Sequence, residues 1–147
     1  MKLSTKGRYG LRAIVDMAIY SNGEHVSINS IAERQNISAN YLEQVFSTLR
    51  KAGLVKSVKG AQGGYSLTKT PQEITIGMII RVLEGDLAIV DDIDIKVSET
   101  TIQKIIKKSV WDKMNAQMNE LVDSITVADL VNDYKKMNGI DNVMYYI

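Results

Sequence analysis

The apolar positions of this chain change period twice, and each change marks a boundary. Leu11, Ile14, Val15 and Ala18 recur at the i, i+3, i+4, i+7 spacing of an amphipathic helix. Ser4 is a good N-cap and Asn22-Gly23 a good stop, so helix 1 is expected from Ser4 to about Tyr20. Gly7 and Gly10 weaken its first turns by up to about 1 kcal/mol each relative to alanine, which implies a close neighbour there, a phosphate being one candidate. Ile28, Ile31 and Ala32 behind a Ser27 cap predict a short helix to about Gln35. Asn36-Ile37-Ser38 reads as a turn with Ile37 as an apolar plug. Ser38 then caps helix 3, which runs to about Ala52 and buries Leu42, Val45, Phe46 and Leu49, with Gly53 at the position a terminating glycine prefers.

The period then falls to two. Leu54 to Lys59 alternates like a half-buried strand, Gly60-Ala61-Gln62-Gly63-Gly64 turns the chain, and Tyr65 to Thr68 returns it. Pro71, the only proline, marks the exit, and Thr75 caps a fourth helix from Ile76 to about Glu84. From Gly85 the mixed acidic and β-branched run DLAIVDDIDIKVSE reads as an irregular linker. Helical spacing resumes at Ser98 and continues to about Ile125 through Ile102, Ile106, Val110, Met114, Met118 and Leu121, widened by Ile105, Trp111 and Val122. A helix of about 26 residues is about 39 Å long, more than a small domain needs. Its stripe requires a cover. The expected cover is the same helix of a second copy, antiparallel about a two-fold axis; folding back onto its own domain is the alternative. A last helix, about Val127 to Met137, precedes Asn138-Gly139 and the tail IDNVMYYI.

A short helix, a tight turn, a second capped helix and a glycine-tipped ribbon make a winged helix-turn-helix, which sets one helix in the DNA major groove. The expected fold is mainly α. Residues 1–84 form the DNA-binding domain, 85–98 the linker, and 99–147 the dimerisation helix and tail.

Charge sharpens this picture. Residues 1–70 hold ten Lys/Arg against four Asp/Glu and residues 71–147 eight against thirteen, so a +6 half is joined to a −5 half behind a net charge of +1. That asymmetry points to polyanion binding by the first half. With no cysteine there is no disulfide framework and no thiolate ligand. No apolar run approaches the roughly 20 residues of a membrane span, and MKLSTKGRYG lacks the apolar core of a secretion signal, so a cytoplasmic location is expected. One isolated histidine, His25, and no phosphate-loop motif leave no catalytic arrangement, and an enzyme is not expected.

The outward positions of helix 3 carry the candidate chemistry. Asn40, Tyr41, Glu43, Gln44, Ser47 and Thr48 are left to point outward or lie at the edge; Asn40 and Gln44 have the groups to bond adenine at two atoms, Glu43 to accept from cytosine N4, and Tyr41 to touch a thymine methyl. Ser38 and the free N–H groups of the first turn suit a phosphate. Arg50, Lys51 and Lys56 add phosphate contacts. Lys59 and Gln62 sit at a ribbon tip whose glycines permit positive φ and close approach, suited to a minor groove. Lys6 and Arg8, ahead of the apolar stretch of helix 1, are placed to grip the backbone beside it.

MKLSTKGRYGL, SIAERQNIS, YLEQVFSTLRKAGLVKSVKGAQGGYSL and RVLEG resemble the Rrf-type winged-helix repressors, densely over residues 1 to about 86. The resemblance implies a homodimer with crossed long helices, two recognition helices and two wings on a partly palindromic operator. Ser38, Asn40, Tyr41, Glu43 and Gln44 then occupy the recognition-helix contact positions, and Lys59 stands where these proteins often place a wing arginine, keeping the charge without the planar fork. Iron–sulfur members carry three cysteines in the segment matching about 86–108, where this chain has Asp91, Asp92, Asp94 and Glu99. No cluster and no other cofactor is therefore expected; a solvated acidic linker or a hard-metal site both remain open readings of the acids. Among cysteine-free members the chain is most similar to the cysteine-metabolism repressors, whose co-repressor is O-acetylserine sulfhydrylase (cysteine synthase). From the similar tail, Ile147 and its carboxylate are expected to enter that enzyme's pocket, with Tyr145 and Tyr146 as further partner-binding residues; packing of the two tyrosines on the dimer is the rival. A repressor that binds a metabolite directly, and an interaction module without DNA binding, are the alternative functions.

Overall fold

The computed structural model describes residues 2–90 and 98–140. Among these residues, seven α-helices and one two-stranded sheet follow in the order α1 (Thr5–Tyr20), α2 (Ile28–Gln35), α3 (Ala39–Lys51), β1 (Val55–Val58), β2 (Gly64–Leu67), α4 (Ile76–Glu84), α5 (Ile102–Ile106), α6 (Asp112–Ser124) and α7 (Val127–Met137), with a π-helical turn, Lys107–Trp111, joining α5 to α6. This is the mainly α winged helix-turn-helix expected from the pattern. β1 is one residue shorter at each end than the alternation predicts, β2 keeps its length but is displaced one residue toward the tip, and the two pair antiparallel with Val55 opposite Leu67 and Val58 opposite Gly64.

Local chemistry sets the boundaries. Ser27 and Ser38 accept from the N–H groups of Ser30 and Tyr41, as N-caps should. Asn36 takes the left-handed conformation that turns α2 into α3, and Ile37 is buried between them. Thr75 and Thr126 cap α4 and α7 by accepting from Met78 and Asp129 N–H. Gly53, at φ +82°, ends α3 where an L side chain would be strained.

Ser4 departs from expectation. It stands at the N-cap of α1 but makes no capping bond with its own hydroxyl. Instead the Glu84 carboxylate, at the end of α4, accepts from Ser4 N–H (3.0 Å), Gly7 N–H (2.9 Å) and the Ser4 hydroxyl. A Cβ on Gly7 would lie 2.3 Å from that carboxylate, and one on Gly10 equally close to Leu83. The neighbour that the two glycines admit is thus α4, not a phosphate.

One core joins Ala13, Ile14 and Met17 of α1 to Ile31, Leu42, Phe46, Leu49, Val55 and Ile79, and Val127 and Val131 of α7 complete it. A smaller cluster unites Ile76, Ile80 and Leu87 with Met118, Val122 and Ile125. Leu87 is buried and Ile89 N–H donates to Asn115 at 2.8 Å, so the start of the expected linker is pinned to α6. Asp16, a buried charge in the core, accepts from Nε and Nη2 of Arg34 (2.7–3.2 Å) and from Gln35.

The long helix begins at Ile102 behind a Thr101 cap, a turn later than the Ser98 start expected from the spacing, and is not uniformly α. Positions four apart advance about 40° per step on a straight α-helix, so Ile102 and Met118 would stand about 160° apart. A π-turn winds more slowly, at about 4.4 residues per turn, and five such residues take back about 90°. The drift between Ile102 and Met118 is thereby cut to about 70°. Met118 packs on the smaller cluster, whereas Ile102 (77% exposed), Ile106, Val110, Met114 and Leu121 (59%) face solvent in the single chain. No helix among the described residues is long and apolar enough to cross a membrane.

Candidate nucleic-acid interface

Helix α3 divides cleanly. Leu42, Val45, Phe46 and Leu49 are fully buried, and Asn40, Glu43 and Gln44 are exposed or half-exposed on the opposite stripe, with Ser47 half-buried in line. Ser38 spends its hydroxyl on Tyr41 N–H (3.3 Å), which fixes the first turn without consuming the remaining N-terminal donors. Tyr41 lies at the edge of this stripe. Its ring meets the Tyr9 ring edge-on, with centroids 6.1 Å apart, and is half-buried. Arg8 and Arg12 lie over the Tyr9 ring at 5.8 and 5.2 Å. Sequence reasoning missed Tyr9 and Arg12; a Tyr flanked at i−1 and i+3 by arginines on one helix was the available signal.

The wing is bolted to this helix. Tyr65 of β2 stacks at a tilt on Phe46, centroids 5.0 Å apart, and its hydroxyl donates to Glu43 at 3.5 Å. Burial, and then the neighbouring Glu43 charge, push the Tyr65 phenol above its ordinary range, so it remains a donor at neutral pH. Glu43 therefore looks both ways, toward the solvent side of α3 and toward the wing. Between them runs a groove of about 400 Å³ bordered by Asn29, Glu43, Ser57, Lys59, Gly63 and Tyr65.

Lys56 and Lys59 are exposed on β1 and just beyond it, as are Arg50 and Lys51 at the end of α3 and Gln62 at the tip. Gly60 has φ +119°, and a Cβ on Gly63 would meet the Val58 carbonyl at 2.3 Å. Both glycines are thus demanded by the turn itself. Lys6 and Arg8 lie in the first turns of α1, Lys6 close enough to Glu84 to favour its ionised form. Asn40, Glu43 and Gln44 thus project from α3, and Lys59 and Gln62 from a wing whose base is packed against it. Such an arrangement can offer amide and carboxylate groups to base edges and ammonium groups to phosphates.

The remaining residues singled out in the sequence fall elsewhere. Ile102, Ile106, Val110, Met114, Met118 and Leu121 lie on the long helix, away from the wing. Asp91, Asp92 and Asp94, and the tail residues Tyr145, Tyr146 and Ile147, lie outside the described residues. Glu99 pairs with Lys104 at 3.7 Å. Among the described residues no group of three or more His, Asp or Glu is placed to hold a metal ion.

This geometry has close counterparts among known proteins. Residues 3–133 match the family model described as Rrf2, iron-dependent transcriptional regulator. The HTH-type transcriptional regulator CymR of Bacillus subtilis is 42% identical over 132 residues, covering 90% of this chain and 91% of that regulator. IscR of Pectobacterium atrosepticum is 37% identical over 143 residues, covering 96% and 85%. Among solved structures, that of CymR, the global cysteine regulator of B. subtilis, superposes with a TM-score of 0.75 over 90% of this chain and 97% of that one. T. potens IscR gives the same TM-score at 47% identity, over 93% and 90%. The iron in the family description does not fit this chain as an iron–sulfur cluster, because its 147 residues include no cysteine thiolate.

Proposed function

This chain belongs to the Rrf2 family of transcriptional regulators and is not an enzyme, and from that premise we propose a homodimeric DNA-binding repressor of cysteine or sulfur metabolism genes. The observation that carries DNA binding is the shared outward face of Asn40, Glu43 and Gln44 with the Lys59 wing beside it, on the +6 half of the chain. In this reading α3 enters the major groove, Lys59 and Gln62 reach the adjacent minor groove, and Ser38, Arg50, Lys51, Lys56, Lys6 and Arg8 hold the backbone. Two heads related by a two-fold axis then read half-sites about 34 Å apart or a multiple of that.

Dimerisation is supported by the uncovered stripe of α5 and α6. The sulfur assignment is supported by the likeness to the cysteine regulator of B. subtilis. We propose further that O-acetylserine sulfhydrylase acts as co-repressor and captures the Ile147 carboxylate with Tyr145 and Tyr146 beside it. A second reading, direct sensing of a small metabolite, has one observation in its favour: a cavity of about 410 Å³ between α1 and α7, lined by Arg8, Leu11, Arg12, Val15, Leu130 and Tyr134.

Gel shifts of genomic fragments at several salt concentrations, with and without the synthase, test the main reading. Steep loss of binding with salt is expected, together with a dimer in sedimentation that Met114→Glu converts to monomer. Salt-independent binding, or a monomer that binds as well as the parent, overturns it. Removal of residues 145–147 should abolish any effect of the synthase. A thermal shift with O-acetylserine alone would favour the second reading.

A further inference from the structure

The wing has a third edge that the two-stranded pattern did not announce. Val26, in the segment between α1 and α2, pairs with Tyr65 in both directions, N–H to carbonyl at 2.8 Å each way. Gly64 makes this approach possible, since a Cβ there would lie 2.3 Å from the Val26 carbonyl oxygen. One residue earlier, the His25 ring reaches past the strand and meets the backbone carbonyl of Gln62 at the wing tip. A carbonyl only accepts, so the His25 Nε2 carries the proton and donates.

From Lys59 to Gly63 the tip is otherwise tied down, among the described residues, by one backbone bond, Gly63 N–H to Gly60 carbonyl at 3.0 Å, which closes the turn on itself without joining it to the body. Held by that bond alone, a turn of this composition would be free to swing about its base. His25 supplies the cross-link from the body of the domain to the tip. We propose that His25 is a positioning residue for DNA recognition: by holding the Gln62 carbonyl it fixes the angle of the wing, and with it the placement of Lys59 and the Gln62 side chain against the minor groove. This rests on the DNA-binding reading above. A tip held before binding spares part of the entropy that a mobile loop loses on docking.

The test uses the full-length protein and a duplex enriched from a random pool by the unsubstituted chain. His25→Ala and His25→Phe remove the donor, the second keeping a ring of similar bulk, and His25→Gln returns a donor at the same bond distance from Cβ. Loss of one such hydrogen bond is expected to weaken binding about three- to tenfold, with a shallower salt dependence as the Lys59 contact is lost. His25→Gln should recover most of both. Amide exchange at residues 60–64, measured without DNA, should quicken in the Ala and Phe variants and not in Gln, with unchanged melting temperature throughout. Equal affinity and salt slope in all four proteins overturns the proposal, as does exchange at the tip that ignores the substitution. Failure of the unsubstituted protein to enrich any duplex overturns the DNA-binding reading, and the proposal with it, before a variant is made.

Discussion

Glu84 ends α4, but its carboxylate serves α1, and removing it should be felt as the loss of that helix's cap. Three donors converge on it, Ser4 N–H, Gly7 N–H and the Ser4 hydroxyl. Losing a capping acceptor costs about 1 kcal/mol, and losing the negative charge at a helix N-terminus adds about 0.5 kcal/mol. Glu84→Ala should therefore destabilise by about 1.5 kcal/mol, a fall of about 5 °C for a chain of this size. Glu84→Gln keeps the accepting oxygen and loses the charge, so about a third of that loss is expected. The pH dependence distinguishes this account from simple loss of packing. The Ser4 hydroxyl foremost, then the backbone N–H groups of Ser4 and Gly7, then the Lys6 charge, hold the Glu84 carboxyl below its ordinary range. A depressed folded-state value means that the contribution is complete above the unfolded value of about 4.3 and disappears as pH falls through the lower folded one. Urea titrations at fixed protein concentration, from about pH 7 to about pH 3, should show the parent and the Gln variant converging at the acid end. Parallel curves across that range would refute the capping role, as would an alanine variant as stable as the parent.

Arg34→Met should cost about 3 kcal/mol in urea unfolding, because it leaves the buried Asp16 carboxylate with Gln35 as its remaining partner; a loss below about 1 kcal/mol would refute this role for the Arg34–Asp16 pair. Gly64→Ala drives a Cβ against the Val26 carbonyl and should strip the edge from the wing, seen as rapid exchange at Val26 and Tyr65 N–H with the helical core intact. Deleting Ser109 from the π-turn should convert it to α-helix with the apolar stripe still aligned, so the dimer should survive in sedimentation, whereas inserting one alanine at that point should break it. Equal tolerance of deletion and insertion would show that the stripe is not the interface.

Much of this was legible in the chain. Ser27, Ser38 and Thr75 announced caps because a small hydroxyl ahead of an apolar period has few other uses, and the wing declared itself through alternation ending at a glycine cluster. Asn40, Glu43 and Gln44 stood out because the i, i+3, i+4 core of α3 left them no inward place. What escaped was non-local. Nothing near Ser4 in sequence points to Glu84, eighty residues on, and nothing near His25 points to Gln62. Nothing near Tyr41 points to Tyr9, its edge-on neighbour on another helix. The π-turn was hidden for a different reason: residues four apart fit an α-helical reading locally, and the drift of about 40° per step shows only when summed over several turns.

Arg81 of α4 grips Asp123 at 2.6 and 2.9 Å and Asn119 at 2.6 Å, while Ile76 N–H donates to the Ile125 carbonyl and Val127 N–H to that of Ile74. These bonds weld the head to the long rod, so neither can turn without the other. In a pair of such molecules, opening or closing the angle at which the two rods cross would sweep the recognition helices apart or together like the points of a pair of dividers. On the proposed reading, a co-repressor would not need to touch the reading surface to alter the operator spacing; setting the crossing angle would be enough.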